Sequence, residues 1–66
     1  MMKVREAINL PFVEDGSKFW VTDNTHIRVI KPEDMEREIC GIDYNMIKKI
    51  LIMELVPLVE EVRTNA

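Results

Sequence analysis

The sequence predicts an α+β domain: a small three-stranded antiparallel meander over residues 1–31, followed by two helices over 32–66, the second long and apolar. Three observations predict it. Aromatic and β-branched residues flank two turn signals, Asp15-Gly16 and Asp23-Asn24. The chain changes character at Lys31-Pro32, beyond which acidic residues gather as they do at a helix start. The C-terminal third then repeats apolar residues at spacings of three and four.

The first strand is expected near residues 4–13, where Val4, Glu6, Ile8, Leu10 and Phe12 alternate with Arg5, Ala7, Asn9 and Pro11. Val4, Ala7 and Ile8 also share one helical face, so a short helix over 2–9 is the alternative there. Pro11 lacks a backbone donor and confines any strand to an edge. Asp15-Gly16 suits the positive φ values of a type I′ turn. The second and third strands are expected near 17–22 and 25–30, joined at Asp23-Asn24, whose side chains bond readily to nearby backbone. A two-residue turn there pairs Trp20 with Ile27 and Phe19 with Arg28. Trp20, Ile27 and Val29 then share one face, and Phe19, Val21, His26, Arg28 and Ile30 share the other.

Pro32 fits the first turn of a helix, where its missing N–H costs nothing. Glu33, Asp34 and Glu36 follow and favour the positive end of the helix dipole. Gly41 is the expected C-cap, and Asp43 the expected N-cap of a second helix. That helix runs from Tyr44 to about Arg63 with a kink at Pro57. Ile47, Leu51, Leu55, Leu58 and Val62 form its apolar stripe, and Ile50 widens it. Between 50 and 59 the only charged residue is Glu54.

With 66 residues, the chain is one small domain, 1–66. A chain of this length buries only roughly 60% of its unfolded surface, so it needs a staple. Cys40 is the only cysteine, which removes an internal disulfide. Cys40 is expected as a small buried hydrophobe beside Ile39. The remaining staple is self-association, with the stripe Ile47, Ile50, Leu51, Leu55, Leu58 and Val62 as the oligomer interface of a homodimer. Burying four or five such side chains is worth on the order of 6–12 kcal/mol before entropy costs.

Chemistry is sparse. His26 has no nucleophile nearby in sequence, Ser17 lacks the context of a nucleophile elbow, and two glycines, Gly16 and Gly41, do not make a phosphate loop. One His and one Cys do not make a zinc site, and the acids at 33, 34, 36 and 38 match no calcium loop. No catalytic residue, metal or cofactor is therefore expected. A net charge of −3 argues against general charge-driven nucleic-acid binding. The lone cysteine, and the absence of a signal-like or spanning apolar stretch, predict a soluble cytoplasmic protein without a membrane segment. The leading expectation is a small non-enzymatic regulatory or adaptor protein, acting as a homo-oligomer and binding another protein. Phe19, Trp20 and Arg28 are its partner-binding candidates, since aromatic residues and Arg anchor interfaces.

Residues 33–52 resemble the helix-turn-helix motif of DNA-binding regulators. Gly41 stands at the turn, Ile42 at the apolar plug, and Ile47 and Ile50 at inner positions of the second helix. The resemblance implies the alternative function, a dimeric DNA-binding regulator. Its recognition helix would start near Tyr44 and present Tyr44, Asn45, Lys48 and Lys49 to the major groove.

Overall fold

The computed structural model describes residues 1–23 and 26–57. It holds a one-turn helix α1 (Val4–Ala7), strands β1 (Lys18–Thr22) and β2 (Ile27–Val29), and a 3-10 turn (Pro32–Asp34). Strands β3 (Ile39–Asn45) and β4 (Ile50–Leu55) complete it. The strands form one mixed sheet in the order β2-β1-β4-β3. β1 runs antiparallel to β2 and parallel to β4, and β3 and β4 form an antiparallel hairpin. A meander followed by two helices is therefore the wrong architecture, and the long apolar C-terminal helix does not form.

The misread element is β4. Leu51 and Leu55 are four residues apart, a spacing that a helix face and a strand face share, because four is two periods of a strand and close to one helical turn. Met53 decides between them. It is fully buried together with Leu51 and Leu55, while Ile50 and Ile52 are half-buried and Glu54 is exposed. That alternation has period two. The β-branched Ile50 and Ile52 also favour extended backbone. Pro57 follows just after the end of this strand instead of kinking a helix. Leu58 and Val62 lie outside the described residues.

The first expected helix reduces to the 3-10 turn at Pro32–Asp34, and the stretch after it is drawn into the sheet. Gly41 is a strand residue beside a bulge: Ile39 pairs with Leu55 and Gly41 with Glu54, so Cys40 has no partner across the ladder. Cys40 is exposed, contrary to its expected burial. Asp43 caps nothing and pairs with Ile52. The expected first strand is also absent. Val4 and Ala7 of α1 are fully buried instead, and α1 is tied to the 35–37 segment by Val4 N–H to Arg37 O (3.0 Å) and Arg5 N–H to Met35 O (3.1 Å).

β1 and β2 fall within the spans 17–22 and 25–30, with a different register. Trp20 pairs with Val29, Val21 with Arg28 and Thr22 with Ile27. The shift is two residues, so the same side chains share each face.

The core lies on one face of the sheet. Val21, Ile39, Leu51, Met53 and Leu55 pack there with Val4 and Ala7 of α1. Ile8, Leu10, Val13, Phe19, Ile30, Met35 and Tyr44 close around them. The loop before β1 is pinned to this side. Tyr44 Oη accepts from the Glu14 N–H (3.1 Å) and shares a hydrogen bond with Ser17 Oγ (2.9 Å). The Phe12 ring lies 5.8 Å from the Tyr44 ring.

Asp34 is the one buried charged residue among the described residues, and it is fully engaged. It accepts from Arg28 Nη1 (2.7 Å), Arg28 Nη2 (3.0 Å) and the Lys31 N–H (2.8 Å). This forked pair fastens β2 to the turn that leads into β3. The hydrogen bonds from Arg28 hold the Asp34 carboxyl below its ordinary value.

Candidate functional site

Helix α1, the 3-10 turn and the 8–17 loop all pack on the core side of the sheet. The opposite face follows from strand alternation and register. Its central row runs Val29, Trp20, Ile52, Asp43 across the four strands. A second row runs Ile27, Thr22, Glu54, Gly41, and a third Lys18, Ile50, Asn45. Five of these side chains, Trp20, Ile27, Val29, Ile50 and Ile52, are large and apolar. Val29 is 59% exposed and Ile27 52%. Trp20, Ile50 and Ile52 are half-buried by their neighbours in the sheet.

This composition is unusual for a solvated sheet face. An antiparallel sheet can turn one face to water when that face is polar, whereas parallel strands are normally covered on both sides. Here the parallel pair β1–β4 sits at the centre of the sheet and puts Trp20 and Ile52 side by side on the open face. The polar groups are distributed unevenly. Lys18 lies at the end where β1 starts, Glu54 near the end where β4 finishes, and Asp43 on the edge strand. A depression of about 290 Å³ is lined by Thr22, Gly41, Ile42, Asp43, Ile52 and Glu54. A second, more apolar groove of about 430 Å³ runs between Met1-Met2 and the outer edge of β3.

The residues singled out in the sequence are dispersed. Of the expected oligomer stripe, Leu51 and Leu55 are consumed by the chain's own core, Ile50 is on the open face, and Ile47 is 93% exposed in the β3–β4 turn. Of the partner-binding candidates, Trp20 is on the open face, Phe19 packs against the core, and Arg28 points to the core side and holds Asp34. Ile27, Val29 and Ile52 complete the open face. Ile27 and Val29 are expected on one face with Trp20, and the alternation within 50–55 carries the signal for Ile52 once those residues are read as a strand.

The helix-turn-helix resemblance does not survive, because residues 39–45 and 50–55 are strands and no recognition helix starts at Tyr44. Asn45 instead shapes the hairpin turn: its Oδ1 accepts from the Ile47 N–H (3.0 Å) and the Lys48 N–H (2.9 Å). Lys49 takes a φ of 56° at the end of that turn, and its Nζ lies 3.5 Å from Glu14 Oε1. Lys48 is exposed at the same turn.

Among the described residues, no three His, Cys, Asp or Glu side chains gather as a metal site. No helix among them is long and apolar enough to cross a membrane. The open sheet face is thus the feature with the clearest capacity for binding, and what it offers is apolar area with a charged fringe. Compared with known proteins, the chain matches no family model, no curated protein and no solved structure.

Proposed function

We propose that the chain is a small regulatory or adaptor protein that works by binding protein surfaces and not by catalysis, assembling with itself and engaging another protein. The observation that carries this reading is the row Val29–Trp20–Ile52 across the open face, flanked by Ile27 and Ile50. Contiguous apolar patches with polar fringes mark protein interaction sites on soluble domains. The apolar groups are spread across all of β2, β1 and β4, which suits a broad partner and not a small enclosed ligand. Trp20 at its centre is the residue type most enriched at energetic centres of interfaces.

A photoreactive phenylalanine analogue introduced at Val29, in the chain expressed in its native host, tests this. Irradiation is expected to give discrete protein adducts from position 29 and few or none from the same analogue at Glu33, on the 3-10 turn. Equal labelling from both positions, or no adduct from either, would contradict the reading.

A further inference from the structure

Resting on that reading, we infer that the occupant of the open face is a second copy of the chain, packed face to face with its strands running in the opposite direction.

The charge layout selects this occupant. β1 and β4 are parallel, so the open face has a polarity along the strands: Lys18 at the start, Trp20 and Ile52 in the middle, Glu54 toward the finish. Reversing the strand direction in a copy laid on top brings Lys18 of each chain beside Glu54 of the partner subunit, twice by symmetry. It also places the two Trp20–Ile52 centres against each other. A copy laid with its strands in the same direction gains neither ion pair. Asp43, on the edge strand, stays at the rim in water.

The packing is also consistent with general sheet geometry. Two sheets pack about 10 Å apart with strand directions within about 30° of parallel or antiparallel alignment, interdigitating their inner side chains. A stable interface needs about 800 Å² from each partner. That is roughly one sixth of this chain's 4914 Å² of surface. The second copy completes the cover that a central parallel pair normally has on both sides. It also provides the staple that a domain of this size needs in the absence of a disulfide.

Analytical ultracentrifugation of the full chain from about 1 to 500 µM tests the inference. A reversible monomer–dimer equilibrium with a dissociation constant in the micromolar range is expected. Val29→Lys, at an exposed edge position where the fold tolerates it, should weaken the dimer at least about tenfold with the thermal melt of the monomer preserved. Ile27→Lys, at a position 52% exposed on the same edge strand, should do the same. Lys18→Glu should weaken it by about fivefold, and Lys18→Glu combined with Glu54→Lys should restore it to within about twofold of the original. A charge swap that fails to restore association overturns the antiparallel arrangement. A chain that stays monomeric at all concentrations overturns the second copy as the occupant. In that case, binding of the dye ANS that is lost in Val29→Lys would leave the face as a docking surface for a different protein. Absence of dye binding would remove the docking reading as well.

Discussion

Leu51→Ala is expected to cost about 2–4 kcal/mol of stability, whereas Ile52→Ala, one residue further along, should cost the monomer about 1 kcal/mol or less. Leu51 is fully buried at the centre of the core, between Phe19 of β1 and Tyr44 of β3 in the ladder, with Val4 and Ala7 packed in the same cluster. Replacing its isobutyl side chain by a methyl leaves a cavity among closely packed neighbours. Ile52 lies on the opposite face and is half-buried. For a domain with only a few kcal/mol in hand, the first substitution leaves much of the chain unfolded at room temperature. Urea titration followed by circular dichroism, at concentrations below the onset of association, checks both values. Equal losses at the two positions would contradict the period-two burial of β4.

Asp34→Ala should destabilise the fold by about 2–4 kcal/mol. It leaves the Arg28 guanidinium without its forked partner and the Lys31 N–H without its acceptor. Asp34→Asn should keep part of the turn while losing the charge. The wild-type chain also acquires an acid sensitivity from this site, and its sign follows from linkage. The Asp34 carboxyl is held below its ordinary value in the folded state, chiefly by the hydrogen bonds from Arg28, so the unfolded state takes up a proton first as pH falls. The stabilisation is fully present above the ordinary carboxylate range and drains away as pH drops through the lowered folded value. Glu36, lowered by its hydrogen bond from Lys3 and by the Arg5 charge, adds to the same slope from an exposed position. Melting temperatures between pH 7 and pH 2 should fall on the acid side for the wild type and fall less steeply for Asp34→Asn. Parallel curves for the two chains would remove Asp34 from this role.

The parts of the structure legible in the sequence are those written in local chemistry. Lys18–Thr22 and Ile27–Val29 announce themselves through Phe19, Trp20, Val21 and Val29; the expected turn at Asp23-Asn24 lies partly outside the described residues. The assignment of Trp20, Ile27 and Val29 to one face is insensitive to the two-residue error in register, because face depends only on parity. Gly16 stands where the chain needs a φ of 83°, as the Asp15-Gly16 signal implies, although the turn leads from a loop into β1 and does not join two strands.

What could not be read locally is the parallel pairing of β1 with β4, which joins segments with β2, the 3-10 turn and β3 between them. Its only trace in the sequence is the near-continuous apolar run Ile50–Leu55. Such a run is the mark of a strand with apolar side chains on both faces, and it is equally compatible with an apolar helix. Gly41 misleads for a related reason: lacking a side chain, it serves a helix end and a strand bulge alike. Pro57, expected as a kink, follows just after the strand instead. The open face is legible in Trp20, Ile27 and Val29, and hidden in Ile50 and Ile52 because a helical reading spreads the residues of β4 around a cylinder.

Two-dimensional nitrogen–proton and methyl NMR of the full chain at 20 µM and at 500 µM asks most directly whether β4 is a central strand whose second face seeks a protein partner. Concentration-dependent shifts are expected at Lys18, the Trp20 indole, Ile27, Val29, Ile50 and Ile52, with Leu51, Met53 and Leu55 unmoved between them. Shifts that follow neither face of the strand, or helical carbon shifts through residues 50–55, would contradict it.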